Sequence, residues 1–116
     1  MKSFRQTYAF NDRRDESSHV LKKYPERKPI ICEKMFNQIG LHDIDKKKYL
    51  VPNEHTIGQF TYIIKKKLGL TSDEAVFLFI NGKIISSSTT IAKLYYREKD
   101  PDGFLYISYS KENVFG

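Results

Sequence analysis

Hydrophobic positions are sparse in residues 1–27, where they recur at helical spacing among charged side chains. This spacing predicts an amphipathic helix over about residues 12–24. Asn11 or Asp12 would cap its beginning, and Pro25 would end it, because the residue before a proline is disfavoured in the helical region. We expect this segment to pack as an appendage on the rest of the chain.

Beyond this segment the pattern changes to short apolar runs. Residues 29–34, 48–52 and 75–80 are rich in β-branched or aromatic residues, and runs of this length and composition predict β-strands. Asn81-Gly82 follows the third run, and this dipeptide readily adopts the left-handed angles of a type I′ turn. The third strand is therefore expected to return through a tight hairpin.

Two helices and a last strand complete the pattern. Thr56 and Gln59 form a capping-box sequence ahead of a helix with one apolar face, and Gly69 provides its C-terminal stop. A second, shorter helix is predicted over about residues 90–98. Residues 104–109 carry apolar side chains on both faces of a predicted strand, which is typical of the centre of a sheet.

The resulting order is two strands, a long helix, a hairpin, a short helix and a final central strand. That order predicts an α+β fold of the ubiquitin-like β-grasp type, with a mixed four-stranded sheet and two extra N-terminal helices. We expect residues 1–27 to form the helical extension and residues 28–110 the β-grasp domain. Residues 111–116 are expected to form a flexible C-terminal tail.

Composition limits the class of protein. The chain has 116 residues, 40% of them hydrophobic, which is enough for one domain with a modest core. The apolar run at residues 75–80 is far shorter than the roughly 20 residues that cross a bilayer, and the first residues form no signal peptide. The single cysteine, Cys32, cannot form an internal disulfide, so a reducing cytosolic or nuclear compartment fits best.

Two other functions are weaker interpretations of the same residues. A Cys–His enzyme would need Cys32 with one of the three histidines, but Cys32 lies in an apolar strand with no base beside it in the sequence. The histidines and carboxylates show no zinc-ligand spacing, so we predict no catalysis, no metal and no cofactor. The pI near 9.4 and pairs such as Lys48-Tyr49 would suit nucleic acid, yet no nucleic-acid motif accompanies the charge.

Five separated stretches of the chain are typical of one known family. They are residues 24–34, 45–52, 57–60, 75–81 and 102–110, followed by the ending Phe115-Gly116. On these stretches the sequence resembles the autophagy ubiquitin-like modifiers, the family that includes the GABARAP proteins, over nearly its whole length. The resemblance implies the β-grasp fold and a binding and tagging role without enzymatic activity.

The resemblance also implies a reaction at the end of the chain. Glycine lacks a Cβ, so the carboxylate of Gly116 could enter a narrow enzyme site. In the family this carboxylate is adenylated, carried as a thioester by an activating and a conjugating enzyme, and joined to phosphatidylethanolamine. A cysteine protease processes many precursors and removes the lipid. Either this chain is encoded ready for conjugation, or it has been trimmed from a longer form.

The implied role is autophagosome formation and selective cargo capture. The protein would occupy the cytoplasm, the autophagosome membrane when lipidated, and the lysosome or vacuole. A ubiquitin-like adaptor that is never conjugated is a nearer alternative than an enzyme or a nucleic-acid binder, and deleting Gly116 would leave such an adaptor functional.

The resemblance finally implies a groove for receptor peptides that carry an aromatic-x-x-aliphatic motif, usually preceded by acidic residues. The predicted aromatic pocket consists of Glu16, Val20, Pro29, Ile31, Lys48, Leu50 and Phe104. The predicted aliphatic pocket consists of Tyr49, Val51, Pro52, Phe60 and Ile63. Arg27, Lys46 and Lys67 would face the acidic residues. Taken singly, Pro29, Ile31, Phe60 and Ile63 fit plain core packing equally well.

Two further features follow from the resemblance. Phe77 and Phe79 would contribute to a second surface for processing enzymes and some receptors, although alternate residues of a core strand must point inward in any case. His55 occupies a position of the aliphatic pocket that is commonly aliphatic in the family, so it could narrow the accepted motifs or make docking pH-sensitive.

Overall fold

The computed structural model describes residues 2–36 and 41–111, which form a mixed sheet covered by helices on both faces. The elements are α1 (Phe4–Thr7), α2 (Phe10–Lys23), β1 (Arg27–Lys34), β2 (Lys48–Pro52), α3 (Ile57–Leu68), β3 (Phe77–Ile80), β4 (Lys83–Ile84), α4 (Ile91–Glu98) and β5 (Leu105–Ser110). None of the described helices is long and apolar enough to cross a membrane.

The sheet has the strand order β2-β1-β5-β3-β4. β5 runs parallel to β1 and antiparallel to β3, so the last strand is central, as the sequence predicted. The predicted count of four strands was too low, because β4 adds a fifth strand of only two exposed residues. Asn81 and Gly82 have φ angles of 50° and 75°, which confirms the left-handed turn that connects β3 to β4.

The predicted signals at the two ends of α3 are confirmed. The Thr56 hydroxyl accepts from the Gln59 backbone N–H at 3.2 Å, and the Gln59 side chain accepts from the Thr56 backbone N–H at 2.9 Å. Gly69 ends the helix with a φ of 68°, in the left-handed region that glycine adopts at no steric cost. These contacts satisfy backbone groups that the helix itself leaves unpaired.

The predicted start of α2 is wrong by two residues. α2 begins at Phe10, and its N-cap residue Ala9 makes no side-chain hydrogen bond. Asp12 lies in the first turn, where the helix dipole favours a carboxylate. This position stabilises the helix although Asp12 is not the N-cap residue. The helix ends at Lys23, two residues before Pro25, as expected.

In the described ranges, buried hydrophobic residues form two separate clusters. The main core lies between the sheet and helices α3 and α4, and it includes Ile30, Phe60 and Leu94. A smaller cluster on the other face contains Phe4, Ile31 and Phe104 with Tyr106 packed against it. Because the two faces of a strand alternate, Ile30 and Ile31 contribute to different clusters.

A buried polar network connects α2 to the beginning of β5. The Asp102 carboxylate, which is fully buried, lies 2.6 Å from the Arg13 guanidinium and accepts from the Tyr106 hydroxyl at 2.5 Å. The Ser17 hydroxyl donates to the Asp102 carbonyl at 2.6 Å. Burial, together with the hydrogen bond to Asp102, raises the pKa of Tyr106 to about 12. These contacts join the predicted helical extension to the predicted β-grasp domain.

Candidate functional site

β2 forms one edge of the sheet, because it pairs with β1 on one side and no strand in the described residues pairs with its other side. Pro29 of β1 lies opposite Leu50 and has no N–H, so this pair occupies a non-hydrogen-bonded position. Leu50 therefore directs its own backbone N–H and C=O away from β1, and Lys48 has the same orientation. The outer edge of β2 can pair with an extended peptide.

On the sheet face that α1 and α2 cover, side chains of β1 and β2 lie side by side. Leu50 is paired with Pro29, and Lys48 is paired with Ile31. Phe104 contacts this group through the small cluster that it shares with Ile31. Pro29, Ile31 and Phe104 are buried, whereas Leu50 is half-buried and Lys48 is exposed. The base of the predicted aromatic pocket is thus apolar, and its outer side, at Leu50 and Lys48, is accessible to solvent.

Two residues of α2 complete this group. A Glu16 carboxylate oxygen lies 2.8 Å from the Lys48 Nζ atom, and both side chains are partly exposed. Val20, one turn further along α2, is half-buried. An exposed ion pair contributes about 0–1 kcal/mol, so an acidic ligand can compete for Lys48 at low cost. The residues of the predicted aromatic pocket therefore share one face of the sheet.

The residues of the predicted aliphatic pocket lie between β2 and α3. The rings of Tyr49 and Phe60 meet edge to face, with 5.4 Å between their centroids, and both belong to the main core. Val51 is also buried, whereas Pro52 and Ile63 are half-buried. Only the latter two offer side-chain surface to a ligand. Tyr49, Val51, Phe60 and Ile63 thus lie on the opposite side of the open edge from the predicted aromatic pocket. Pro52, at the end of β2, alternates onto the face of Leu50 and is not brought together with them by the strand.

Two of the three predicted cationic residues contact side chains or backbone of β2. The Arg27 guanidinium donates to the Leu50 carbonyl at 3.2 Å, and Arg27 is paired with Pro52, so it lies near the end of β2. The Lys46 Nζ atom lies 5.2 Å from the centroid of the Tyr49 ring. Lys67 is exposed in the last turn of α3.

Two N-terminal helices were predicted, but sequence reasoning neither located α1 nor included it in the site. Phe4 is buried, and its ring centroid lies 5.2 Å from that of Phe104. Phe4 therefore packs against a residue of the predicted aromatic pocket. An adjoining cavity of about 520 Å³ is lined by Phe4, Thr7, Tyr8, Asp45 and the three lysines Lys46, Lys47 and Lys48. The Ser3 and Gln6 capping box of α1 was the signal that could have located this helix.

Two buried polar atoms near β2 have no hydrogen-bond partner in the described part of the chain. They are the Tyr49 hydroxyl oxygen and the His55 Nδ1 atom. His55 lies between β2 and α3, where its backbone N–H donates to the Pro52 carbonyl at 3.1 Å and its carbonyl accepts from the Ile91 N–H at 2.7 Å. Burial raises the pKa of Tyr49 to about 12.

Phe77 and Phe79 occupy β3, which is separated from β2 by β1 and β5. Phe79 is buried and Phe77 is half-buried, so only Phe77 offers substantial surface. Leu78, between them, points into the main core. A second binding surface at Phe77 and Phe79 would therefore be separate from the β2 edge, and it stays a prediction.

Cys32 does not have the surroundings of a nucleophile. It is fully buried, and burial raises the pKa of its thiol far above the ordinary value. In the described ranges, no cluster of three or more histidines, cysteines and carboxylates could hold a metal ion. Gly116, the predicted conjugation residue, lies outside the described residues.

The chain is similar to known proteins along its whole length. A family model described as "Autophagy protein Atg8 ubiquitin like" matches residues 12–116. Autophagy-related protein 8 of Mycosarcoma maydis is 42% identical over 114 residues, which cover 98% of this chain and 96% of that protein. Autophagy-related protein 8 of Schizosaccharomyces pombe is 43% identical over 113 residues, which cover 97% and 93% of the two chains.

A solved structure shares the fold. The crystal structure of Trypanosoma brucei ATG8 superposes with a TM-score of 0.90 at 36% sequence identity. The match covers all of this chain and 99% of the other. The similarity therefore includes the N-terminal helices as well as the sheet.

Proposed function

The chain belongs to the Atg8 family of autophagy ubiquitin-like proteins, and from this membership we propose that it is conjugated through Gly116 to phosphatidylethanolamine and recruits receptors at the β2 edge. The receptors would carry an aromatic-x-x-aliphatic motif preceded by acidic residues. The observation that carries the receptor proposal is the open edge of β2 between two groups of apolar side chains.

The proposed docking mode adds a strand to the sheet. The peptide backbone pairs with the outward N–H and C=O groups of Lys48 and Leu50, and the Arg27 guanidinium shares the Leu50 carbonyl with the peptide or moves away from it. Successive peptide side chains point to opposite faces, so an aromatic residue enters the side beneath α2 and an aliphatic residue the side near Ile63. Arg27 and Lys46 attract the acidic residues, and added salt weakens that attraction.

Calorimetric titration tests the docking proposal. The ligand is an acidic peptide with one Trp-x-x-Leu motif, added to the full chain. Leu50→Arg places a bulky charge on the apolar floor, and we expect it to weaken binding at least about tenfold, or about 1.4 kcal/mol. Ile84→Arg is the matched control, since it makes the same change on the exposed β4 at the other end of the sheet. Equal losses in both variants would contradict docking at β2.

Reconstitution tests the conjugation proposal. The chain is incubated with matched activating and conjugating enzymes, ATP and liposomes that contain phosphatidylethanolamine, and its intact mass is followed. The wild type should gain the mass of the lipid, whereas Gly116→Ala should not, because the glycine lets its carboxylate enter the narrow enzyme site. Failure of the wild type, with enzymes that conjugate another modifier, would favour the unconjugated adaptor.

The two proposals can fail separately. Leu50→Arg lies in β2 and should leave conjugation intact, whereas Gly116→Ala should leave peptide binding intact. The partners that we propose are the activating and conjugating enzymes, a processing and delipidating cysteine protease, and the receptors. The proposed locations are the cytoplasm, the autophagosome membrane and the lysosome or vacuole. We propose no enzymatic activity of the chain itself and no nucleic-acid partner.

A further inference from the structure

A second groove, of about 340 Å³, lies between α2 and the segment that connects α4 to β5. α2 contributes Arg14, Leu21 and Lys22 to one wall. Glu16 and Val20, which belong to the aromatic side of the β2 site, point roughly 120–160° away from the Arg14 direction around a helix with 3.6 residues per turn. The two sites therefore use different sides of α2, and both can be occupied at once.

Three cations surround this groove. Arg14 and Lys22 lie on α2, and Lys99 lies on the opposite wall; all three are exposed. In the described part of the chain, Lys22 and Lys99 take part in no ion pair, and Arg14 has only Asp15 at 3.9 Å, with both side chains more than half exposed. Such a distant exposed pair neutralises little charge.

The acidic residues near the groove are already paired. Asp102 lines it, but the Asp102 side chain is fully buried and lies 2.6 Å from Arg13. Asp100, at the end of the same loop, lies 2.6 Å from the Arg5 guanidinium. The positive charge at the rim is therefore not compensated by the walls, and it favours an anionic occupant.

The floor of the groove is apolar. Leu21 packs against the main core, and Tyr95 is almost fully buried. The Tyr95 hydroxyl donates to the Gly103 carbonyl at 2.7 Å, and the Ser17 hydroxyl donates to Asp102, so neither hydroxyl is available to a ligand as a donor. A floor of this kind favours an aliphatic side chain over a polar one.

We propose that this groove binds an acidic segment of a partner protein with the pattern acid-x-aliphatic-x-acid. Arg14 and Lys22 are eight residues apart on α2, which corresponds to about 12 Å along the helix. In an extended peptide, residues i and i+4 are about 13 Å apart and lie on the same side as residue i+2. Two acids can thus meet the two cations while the aliphatic residue between them contacts Leu21 and Tyr95.

This occupant fits better than an anionic membrane. A membrane surface would contact the exposed cations but leave the recessed floor at Tyr95 unfilled. The pattern also differs from the aromatic-x-x-aliphatic motif proposed for β2, because it requires acids on both sides of one aliphatic residue. The second site therefore accepts a different segment, and a partner that contains both motifs would gain affinity from simultaneous binding.

Titration of the isotope-labelled full chain, followed by NMR, tests the proposal with the peptide Ser-Glu-Ser-Leu-Ser-Glu-Ser. We expect the amide signals of Ser18, Leu21 and Gly103 to shift, and those of Lys48 and Leu50 to stay in place. Lys22→Glu replaces attraction by repulsion and should weaken binding about tenfold. Replacement of the peptide's leucine by glycine should abolish binding at the same concentration.

Lys23→Glu is the matched control, since Lys23 is an exposed neighbour on the same helix and points about 180° away from Arg14. It changes the net charge by the same amount and should alter affinity less than about twofold if binding is local. If α2 does not tolerate Lys22→Glu, Lys99→Glu on the opposite wall gives the same test. The spectrum of each free variant shows whether it is folded.

Three results would overturn the proposal. Equal weakening by Lys22→Glu and Lys23→Glu, or equal binding of the leucine and glycine peptides, would indicate attraction by net charge alone. If phosphatidylserine vesicles bound the chain through Lys22 and Lys99 and the peptide did not bind, the groove would be a membrane-binding site instead. In every case Lys22→Glu should leave the affinity for the Trp-x-x-Leu peptide unchanged, so the result does not depend on the docking proposal at β2.

Discussion

At the scale of single residues, two core tyrosines differ in their hydrogen bonds. The Tyr109 hydroxyl accepts from the Ile44 N–H at 3.0 Å and donates to the His42 carbonyl at 2.9 Å. The buried Tyr49 hydroxyl has no partner in the described residues. A buried polar group without a partner costs free energy, whereas a satisfied one contributes modestly to stability.

These contacts predict opposite effects for one chemical change. Tyr49→Phe should leave the free energy of unfolding unchanged or raise it by up to about 1 kcal/mol, because it removes an unpaired hydroxyl and keeps the ring contact with Phe60. Tyr109→Phe should lower it by about 1–2 kcal/mol, because two backbone groups lose a partner. Urea unfolding measures both. A larger loss of unfolding free energy for Tyr49→Phe than for Tyr109→Phe would contradict the conclusion that the Tyr49 hydroxyl is unpaired.

The same tyrosines predict how stability depends on pH. Burial raises the pKa of Tyr49 and of Tyr109 to about 12 from the ordinary 10. Between these values the unfolded chain has lost protons that the folded chain still holds, so the free energy of unfolding should fall as the pH rises from about 10 to about 12. Below pH 10 these groups add no pH dependence. Urea unfolding over this range should show a smaller decline in Tyr109→Phe.

At the scale of elements, one buried ion pair holds α2 on the sheet. Asp102→Asn preserves an acceptor for the Phe104 N–H but removes the charge that faces Arg13. We expect a loss of about 3 kcal/mol in unfolding free energy and faster hydrogen exchange in α2, because Arg13 is left without its buried counter-ion. Arg5→Gln is the control, since the more exposed pair with Asp100 should contribute at most about 1 kcal/mol.

The approach of α2 to the β5 loop also depends on a glycine. Gly103 has a φ of 90°, and a Cβ at this position would lie 2.2 Å from the Ser17 hydroxyl oxygen. Gly103→Ala should therefore cost about 3 kcal/mol and displace α2. Gly69→Ala, which also has a positive φ but has no atom within 4 Å of an added Cβ, should cost about 1 kcal/mol. If thermal or urea unfolding gave similar losses of stability for Gly103→Ala and Gly69→Ala, the close contact between position 103 and Ser17 would have no effect.

At the scale of the whole molecule, the N-terminal helices complete the hydrophobic structure. Deleting residues 1–24 should leave the sheet and α3 folded but uncover Ile31 and Phe104, which are buried in the full chain. We expect lower stability, stronger binding of a hydrophobic dye, and loss of Trp-x-x-Leu peptide binding. An unchanged peptide affinity would show that α1 and α2 do not contribute to the site. The full chain should unfold in one transition by circular dichroism and by fluorescence.

The sequence alone determined the elements whose signals are local. The Thr56 capping box, Gly69 and the Asn81-Gly82 turn act within a few residues, so α3 and the hairpin were predicted with little error. The two-sided apolar pattern of residues 104–109 also identified the central strand. The family was identified from ordered stretches of sequence, and the similarity to Atg8 proteins confirms it.

Tertiary structure decided the features that depend on contacts distant in sequence. The position of Phe4 under Phe104, the ion pair of Arg13 with Asp102 and the groove between α2 and Lys99 join segments about 80 or more residues apart. No local periodicity encodes such pairs, because burial and charge compensation arise only when the chain has folded. The alternation of side chains along β2 already placed Tyr49 and Leu50 on opposite faces, because it is a local property of a strand. Only the fold placed β2 at the open edge of the sheet, because strand order depends on pairing between distant segments.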